Sequence, residues 1–390
     1  MRLAIFTLPL HTNYGGLLQA YALQTVLQRL GHQAVVLRKK EFSLGLNIPP
    51  SRIINRLKQR FIDKEDCYIL YERKMKQLAP VIRQHTERFV SQHINSYWLW
   101  RLNSLRESDF DGYVVGSDQV WRPVFFRNIG NAFLDFTAHW NVRRVAYAAS
   151  FGTDSREYTD AQVRLCRDAI ARFDGVSVRE ESGMELCRQY FGVEAEWVLD
   201  PTMLLLPTDY EQIVRQSVVP QSPGNLFCYT LDDSPLLQQT INSIASVSLN
   251  TQHSTLNAQP HLQPFYINAF SGNKRVDIAQ RIQPPVESWL RAFIDAHYVV
   301  TDSFHATVFS ILFHKPFVVC INNGRGVARL RSLLAIFGLE NRLIENVAQL
   351  QHLNEPIDWE ETDRRLEYWR EKSIGFLVRL FAEAQPHSSR

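Results

Sequence analysis

Residues 2–37 of the chain read RLAIFTLPLHTNYGGLLQAYALQTVLQRLGHQAVVL, and this segment specifies a class of fold. Its pattern predicts a strand over residues 2–8, a helix over residues 17–30 and a second strand over residues 33–37. Apolar residues recur every four positions along the helix, which marks one buried face, and Gly31 follows as a C-cap. A strand, a glycine-containing loop, a helix and a strand in this order form a βαβ unit and hence a parallel sheet.

The remainder of the chain continues this alternation in two series. The first series has predicted strands at 112–116, 144–149, 176–178 and 197–199, with helices at 160–172 and 180–190. The second has strands at 226–230, 264–267, 298–301 and 317–321, with helices at 235–247, 286–296, 306–313 and 327–337. Residues 217–225 between the two series have the Pro, Ser and Gly content of a linker. We therefore predict an α/β protein of two doubly wound, Rossmann-like domains facing a cleft, with residues 1–215 and 216–360, followed by an amphipathic helix and tail at 361–390.

Residues 39–101 interrupt the first series and are rich in Lys, Arg and Gln. We predict two or three surface helices in this insertion, covering one edge of the first domain. Its basic residues include Lys39, Lys40, Arg52, Arg56, Lys58 and Arg60. They form either an ordinary solvated face or a surface attracted to an anionic glycan or membrane.

The composition of the 390 residues excludes several classes of protein. The chain is 45% hydrophobic and 21% charged, which does not fit a disordered chain or a coiled coil. Its 43 basic and 40 acidic residues leave a net charge of +3, so no bulk binding of nucleic acid is indicated. The five cysteines form no C-x-x-C pair, and we expect reduced thiols in a cytoplasmic protein without a signal peptide or a membrane-spanning helix.

Polar motifs follow several predicted strands, and each has a functional and a structural interpretation. The first is TNYGG at residues 12–16, directly before the first helix. Its glycines would let the backbone approach an anion at the helix N-terminus, with Asn13, Gly15 and Gly16 as contacts. An ordinary tight turn explains the motif equally well. It is neither G-x-G-x-x-G nor a P-loop, so it indicates neither a dinucleotide nor Mg-ATP.

The second motif, VGSDQVW at residues 115–121, ends a strand with hydroxyl, carboxylate, amide and indole groups. Ser117, Asp118 and Gln119 would bind sugar hydroxyls, and Trp121 would stack on the apolar face of a sugar ring. The alternative is that Asp118 is the N-cap of a helix, but that interpretation leaves the amide and the indole unexplained.

Two further strand ends are less specific. The small residues of AYAASFG, at 146–152, favour close packing over catalysis, although they also permit a ligand to approach. In VRE, at 178–180, Arg179 would point into the cleft of this architecture. An Arg179–Glu180 surface pair is the alternative, and such a pair contributes little to stability.

The most informative motif is YVVTDSFHA, at residues 298–306. Ser303 is placed to cap a helix, with His305 in its first turn, where it can act as an acid or base near neutral pH. The positive helix N-terminus disfavours a protonated histidine, so we expect a carboxylate in the cleft to compensate. The next strand is followed by NNGRG, a loop of anion-binding type that contains Arg325, and then by Arg329.

Other kinds of site are not indicated by the sequence. No C-x-x-C, His-x-x-x-His or paired-carboxylate pattern points to zinc or iron. The G-x-S-x-G elbow of a hydrolase is also missing from the sequence. We therefore predict no metal and no resident cofactor.

Taken together and in order, the motifs resemble the polysaccharide pyruvyl transferase family. The matching segments are NYGGLLQAYAL at 13–23, GSDQVW at 116–121, YAASFG at 147–152, VRE at 178–180, LDPT at 199–202 and TDSFH at 301–305. The resemblance spans roughly residues 1–340 and skips the basic insertion.

The resemblance implies a two-domain fold similar to GT-B glycosyltransferases and the transfer of pyruvate from phosphoenolpyruvate (PEP) onto a sugar as a cyclic ketal. His305 matches the family's active-site histidine and is expected to be the general acid, with Asp118 as a base. The acceptor, a surface glycan or its lipid-linked precursor, would contact Ser117, Gln119 and Trp121 in the first domain. The donor PEP would contact Arg179, Arg325, Ser303, Asn13, Gly15 and Gly16, so we expect Arg179 and His305 to face one cleft.

One position departs from the family pattern. Some members carry Arg two positions before the histidine, where this chain has Ser303, so a PEP-binding cation would come from Arg325 or Arg329. Two other functions remain open at this point: a GT-B-type glycosyltransferase that uses a nucleotide sugar, and a catalytically silent glycan-binding protein. The basic insertion and the final helix would be the places for peripheral association with the inner face of the plasma membrane.

Overall fold

The computed structural model describes residues 1–40, 71–246, 262–267, 277–322, 324, 326–352 and 355–381. These residues form two sheets of seven and five strands. In both sheets the paired strands are parallel. The predicted fold class, an α/β protein with two doubly wound sheets, is confirmed by these strand orders.

The seven-stranded sheet and its helices form the N-terminal lobe. Its strands are β1 (Arg2–Phe6), β2 (Gln33–Lys39), β3 (Ser96–Leu99), β4 (Gly112–Val115), β5 (Arg143–Ala149), β6 (Gly175–Val178) and β7 (Glu196–Trp197), in the order β3-β2-β1-β4-β5-β6-β7. Its helices are α1 (Tyr14–Arg29), α2 (Tyr71–Ile82), α3 (Gln84–His93), α4 (Asp160–Ile170), α5 (Glu181–Leu186) and α6 (Pro207–Arg215). The strand order reverses between β1 and β4, which is where ligands bind in such sheets.

The five-stranded sheet and its helices form the C-terminal lobe. Its strands are β8 (Leu226–Tyr229), β9 (Pro264–Phe265), β10 (Tyr298–Thr301), β11 (Phe317–Cys320) and β12 (Leu343–Ile344), in the order β12-β11-β10-β8-β9. The helices are α7 (Pro235–Ser246), α8 (Ile278–Arg281), α9 (Val286–Asp295), α10 (Phe304–Leu312), α11 (Ala328–Phe337) and α12 (Trp359–Phe381). All residues of β8, β10 and β11 are buried, as expected for central parallel strands covered on both faces.

Helix α1 begins at Tyr14, three residues earlier than the sequence pattern predicts. Asn13 is its N-cap residue, with extended backbone angles, although its side chain makes no capping hydrogen bond. The predicted loop over residues 9–16 is therefore shorter, and Gly15 and Gly16 lie in the first turn of the helix. Glycine lowers helix propensity, which is why the sequence pattern places the start of α1 too late.

The insertion contains a strand that the sequence pattern misses. Besides α2 and α3, residues Ser96–Leu99 form β3, which pairs in parallel with β2 at the edge of the sheet. The prediction of surface helices alone was therefore wrong for these residues. Residues 41–70 lie outside the described part of the chain, together with four of the predicted basic residues, Arg52, Arg56, Lys58 and Arg60.

The last helix, α12, returns to the N-terminal lobe. The backbone N–H of Leu199 donates to Oγ of Ser373 at 2.9 Å, and Nε of Arg370 donates to the carbonyl oxygen of Met203 at 3.0 Å. The apolar residues on this side of α12, Leu366, Phe376, Leu377 and Phe381, are buried. These four side chains therefore belong to the core of the protein. Within the described residues, no helix is long and apolar enough to cross a bilayer.

Candidate active site

The strand ends of the two lobes meet at a cleft of about 360 Å³. The N-terminal lobe contributes the start of α1 and the turn after β4 to its walls. The C-terminal lobe contributes the turns after β8, β10 and β11 and the start of α11. Of the predicted site residues, the cleft wall contains Asn13, Gly15, Asp118, Gln119, Ser303 and His305. Arg325 lies outside the described residues.

His305 reaches the cleft because of a local helix cap. Ser303 is the N-cap of α10, and its Oγ accepts a hydrogen bond from the backbone N–H of Ala306. The predicted cap is therefore confirmed, and His305 lies in the first turn of α10 as expected. Its side chain is 9% exposed and lies at the cleft wall.

Asp200 is the nearest carboxylate to this histidine. Its Oδ2 lies 3.6 Å from Nε2 of His305, which is the distance of an ion pair rather than of a hydrogen bond. Oδ2 also accepts hydrogen bonds from Nη1 of Arg179 at 2.8 Å and from Oγ of Ser117 at 3.1 Å. Oδ1 accepts two more from the backbone N–H and the hydroxyl of Thr202. The side chain is fully buried and well supplied with donors.

The environment of Asp200 holds it as an anion. Burial by itself would raise the pKa of Asp200, but its interactions with His305, Arg179 and Thr202 outweigh burial and lower that pKa well below the usual range. Asp200 belongs to the LDPT segment, and no role was predicted for it from the sequence. The available signal was an acidic residue just after β7, followed by Pro and Thr.

Arg179 lies behind the cleft wall and not in it. Its side chain has no exposed surface, and its Nη2 donates to Oδ1 of Asp118 at 3.2 Å. The ring of Phe304, which does line the cleft, lies 4.4 Å from Cζ of Arg179. Arg179 and His305 lie close together, because both contact the same oxygen of Asp200, but only His305 faces the cleft. In this position, however, the guanidinium does not reach a ligand in the cleft.

The turn after β4 brings some of its predicted residues to the cleft and buries others. Asp118 and Gln119 line the cleft. Trp121 is fully buried, stacks on Phe133 with ring centroids 5.0 Å apart, and donates its indole N–H to a backbone carbonyl. An indole held in this way has no face to offer a sugar. Ser117 is also fully buried, so neither residue lies where its predicted acceptor contact would require.

Asp118 is not a helix cap, contrary to the structural alternative. Its backbone has a φ of 63°, in the left-handed region that Asp tolerates better than most residues. Its carbonyl oxygen accepts hydrogen bonds from the backbone N–H groups of Val120 and Ser150. This turn directs the Asp118 carboxylate to the cleft while the following residues fold back under the end of β5.

Among the described residues, Arg329, at the start of α11, is one of two arginines that line the cleft together with His305. Burial, with a further contribution from the positive charge of Arg179, lowers the pKa of Arg329 to about 10. The pKa is lowered because removing water disfavours the charged form, so a negative charge arriving in the cleft would be favourable here. Arg122 also lines the cleft, but it makes an ion pair with Glu157 at 2.8 Å.

Gly15 leaves room for the imidazole. A Cβ atom built at this position would lie 2.0 Å from Nδ1 of His305, far closer than any real contact. A Cβ atom at the neighbouring Gly16 would meet the Asn13 side chain at 3.4 Å, an ordinary distance. His305 is therefore seated against the backbone of α1, with one ring nitrogen beside Gly15 and the other facing Asp200.

This arrangement defines a two-lobed α/β protein whose cleft carries a histidine, a buried carboxylate facing it, and cationic side chains. A model of the polysaccharide pyruvyl transferase family matches residues 13–324 of the sequence. The chain belongs to this family. The expected resemblance is confirmed, and the two facing parallel sheets agree with the fold that the family implies.

Two solved structures with a similar course of the chain are distant in sequence. The chain is similar to a UDP-GlcNAc 2-epimerase from Neisseria meningitidis, with 10% identity, a TM-score of 0.47, and 98% of this chain and 100% of that chain covered. It is similar to MurG from Acinetobacter baumannii, with 12% identity, a TM-score of 0.43, and coverage of 98% and 99% respectively. These similarities carry no argument about activity. No curated protein sequence shows significant similarity to the chain.

Proposed function

We propose that the protein transfers the pyruvyl group of PEP to two neighbouring hydroxyls of a sugar in a surface polysaccharide or its lipid-linked precursor. The product is a cyclic ketal, and phosphate is released. The observation that carries the proposal is the position of His305, at the cleft wall and 3.6 Å from the buried carboxylate of Asp200. A histidine beside an anionic carboxylate is suited to hold and deliver a proton near neutral pH.

The donor side of the cleft suits a small molecule with two anionic groups. Arg329 supplies a buried positive charge at the cleft wall. Because burial disfavours this charge and lowers the pKa of Arg329, an anion in the cleft would stabilise its charged form. The N-termini of α1 and α10 both lie at the cleft and add backbone N–H groups there. These groups replace the arginine that some family members carry at the position of Ser303. Arg325 stays a predicted further contact.

The reaction requires one proton to be added to carbon and two to be removed from oxygen. His305 protonates the C3 methylene of PEP, which makes C2 electrophilic, and a sugar hydroxyl adds to C2. The C2–O bond to phosphate then breaks, and the neighbouring hydroxyl closes the ketal. One hydroxyl proton replaces the proton that His305 delivered, and the other leaves with phosphate. Asp118 is the carboxylate at the cleft wall that accepts a hydroxyl proton.

The acceptor side is formed by Asp118 and Gln119 together with an exposed aromatic ring. Phe125 lines the cleft and is 48% exposed, whereas Trp121 is buried in the core. We therefore assign stacking on the sugar to Phe125 in place of Trp121. Carboxylate and amide groups beside such a ring give a site for sugar hydroxyls next to an apolar ring face.

The test is a transfer assay with purified protein, PEP and a glycan acceptor. We expect phosphate release and a gain of one pyruvyl ketal in the mass of the acceptor. His305→Ala should lower kcat by about 10²–10⁴-fold, because a positioned general acid contributes about that much. His314→Ala is the control, since this half-exposed histidine follows the same helix and pairs with Asp363 away from the cleft. Wild-type turnover in His305→Ala would contradict the assignment.

A binding experiment separates this function from a nucleotide-sugar transferase. A ligand that binds the native state raises its melting temperature by mass action. We expect PEP to raise the melting temperature and nucleoside diphosphates to leave it unchanged. Stabilisation by a nucleotide, with none by PEP, would favour the glycosyltransferase instead.

A further inference from the structure

The Arg179–Asp200 pair is not needed to contact either substrate, yet it directly faces the proposed acid. We propose that Asp200 is a positioning residue that orients His305 and places a negative charge opposite its imidazole, and that Arg179 acts behind Asp200 as a second positioning residue instead of binding PEP. This inference rests on the proposed function. It assigns a role to the LDPT segment, which the mechanism so far does not use.

Asp200 is a fixed negative charge. Four hydrogen bonds reach its two oxygens, from Ser117, from Arg179 and twice from Thr202. Its segment is also held from outside, because Leu199 donates its backbone N–H to Ser373 of α12. A buried carboxylate with this many donors has little freedom to rotate away from Nε2 of His305.

The imidazole of His305 faces this charge directly. Its Nε2 atom lies 3.6 Å from Oδ2 of Asp200, so an imidazolium here would form an ion pair with the carboxylate. The N-terminus of α10 acts in the opposite direction on the imidazole, since the helix dipole is positive there. The sequence predicts a carboxylate in the cleft that compensates for this effect of the helix dipole. Asp200 fits that role better than Asp118, because its carboxylate faces Nε2 of His305.

The other charged groups around the imidazole also belong to this network. Asp118 is hydrogen-bonded to Nη2 of Arg179, and Glu180 lies 3.9 Å from Nε of the same guanidinium. Cζ of Arg329 lies 5.9 Å from the ring centroid of Phe304, the residue before His305. Burial is the largest influence on Glu180 and raises its pKa, while the positive charges of Arg179 and Arg329 oppose that rise.

Arg179 connects two carboxylates. One guanidinium holds both Asp200, which faces the proposed acid, and Asp118, the proposed base. Its side chain has no exposed surface, so PEP in the cleft cannot touch it without a rearrangement. Arg179 therefore fixes the spacing between Asp200, which faces the acid of the reaction, and Asp118, its base.

The pair forms across the boundary between the lobes. His305 belongs to the C-terminal lobe, whereas Asp200, Arg179 and Gly15 belong to the N-terminal lobe or the segment directly after it. The imidazole fits between Asp200 and the backbone of α1 only because residue 15 has no Cβ atom. The acid is thus complete only when both lobes are in place.

The first experiment measures pH–rate profiles of Asp200→Asn and Arg179→Lys. The control is Asp209→Asn, which weakens the ion pair with Arg29 and the contact with the backbone N–H of Leu206 at the start of α6, away from the cleft. We expect Asp200→Asn to lower kcat by about 10²-fold or more, with KM for PEP changed less than about threefold. The alkaline limb of its profile should move to lower pH, because the imidazolium loses its anionic partner. Arg179→Lys should also lower kcat with little change in KM. An unchanged profile in Asp200→Asn, or a raised KM with normal kcat in Arg179→Lys, would overturn the proposal.

A second variant avoids leaving a buried charge unpaired. Gly15→Ala keeps the whole network but places a methyl group where the imidazole lies, so it should displace His305 and lower kcat strongly. Gly16→Ala adds the same methyl group one residue further on and should lose much less activity. Equal losses in the two variants would mean that the seating of His305 does not matter.

An NMR titration of the His305 imidazole separates this inference from the proposed function, because it requires no turnover. We expect the imidazole of Asp200→Asn to titrate at lower pH than that of the wild-type protein. If the titration shifts but wild-type protein transfers no pyruvyl group, the pair is real and the proposed function fails. If transfer occurs and Asp200→Asn changes neither the titration nor the rate, the positioning role fails.

Discussion

The turn after β4 and the turn after β10 carry similar residues but are held in different ways. Both follow a central strand, and both place an aspartate beside the cleft. In the turn after β10, the backbone around Ser303 and His305 is held by near neighbours: the Ser303 hydroxyl accepts a hydrogen bond from the backbone N–H of Ala306, and the Ser303 backbone bonds to the hydroxyls of Thr301 and Thr307. The turn after β4 is held by bonds from far along the chain. The cap and the position of His305 were therefore predicted from the sequence, whereas the burial of Ser117 and Trp121 was not.

The long-range contacts of the turn after β4 are specific. The backbone N–H of Ser117 donates to Oε1 of Gln19, 98 residues away, and the backbone N–H of Trp121 donates to the carbonyl of Ser150. These bonds turn the chain back on itself after Asp118, so Trp121 enters the core while Asp118 and Gln119 remain at the cleft. Neither partner could be identified from the seven residues of the motif.

The largest effect that tests this comparison separates the two aspartates. We expect Asp118→Asn to lower kcat by about 10²–10⁴-fold, because Asp118 is the proposed base. Asp302→Asn should lower kcat by less than about 10-fold. The Asp302 carboxylate accepts the backbone N–H groups of Leu231 and Asp232 and the side-chain amide of Asn322, so it ties three strand ends together. Steady-state kinetics on both variants would contradict this view if the two losses were alike.

A second test compares the cations beside the two turns. Arg329→Met should raise KM for PEP by about 10–100-fold, because a hydrogen bond to a charged group contributes about 1.5–3 kcal/mol. Arg122→Met should raise it much less, since Arg122 is already paired with Glu157. Initial rates at varied PEP concentration measure both constants. A larger rise for Arg122 than for Arg329 would reverse the donor assignment.

A third test concerns Trp121. We expect Trp121→Phe to lower the free energy of unfolding by about 1–2 kcal/mol, because the hydrogen bond from its indole to the carbonyl of Ala132 is lost. KM for the glycan should not change. Denaturant unfolding and acceptor kinetics give the two numbers. A rise in acceptor KM without a loss of stability would restore the stacking role that the sequence predicts for Trp121.

The smallest mutational effect is expected at the local cap. Ser303→Ala removes the side-chain oxygen that accepts a hydrogen bond from the backbone N–H of Ala306, and it should lower the free energy of unfolding by about 1 kcal/mol. It should also lower kcat a few-fold, because His305 lies in the turn that the cap holds. Thermal unfolding and the transfer assay measure the two effects. Full activity with reduced stability would show that the cap is not needed to place the histidine.

The two buried aspartates also predict opposite pH dependence of stability. The pKa of Asp200 is lowered in the folded state, so its contribution is present above about pH 4, the unfolded value, and is lost as pH falls below it. Burial raises the pKa of Asp302, so its charge becomes unfavourable as pH rises through that range. Compared with Asp302→Asn, the wild-type protein should therefore lose stability as pH rises through and above about 4, the unfolded value. Parallel stability curves for the two proteins would contradict the raised pKa.

The sequence predicted the parts of the fold that depend on local periodicity. The strand over residues 298–301 and the βαβ unit at the N-terminus are both observed. Edge strand β3 was missed because its four residues, SYWL, directly follow helical segments and lack an alternating pattern. At the site, His305 was found from its motif. Asp200 and the burial of Arg179 were not, since both depend on which strand ends meet after folding.

The path of α12 has a consequence for movement between the two halves of the molecule. The chain crosses the boundary once after α6 and again before α12, so any hinge consists of two connections that must bend together. Ser373 of α12 holds the residue next to Asp200, and Trp369 of the same helix packs edge-on against Trp197 with ring centroids 4.9 Å apart. Removing α12 would therefore leave a single connection between the two lobes, so they could move more freely relative to each other. It would also remove the contact between Ser373 and Leu199 that holds the segment of Asp200.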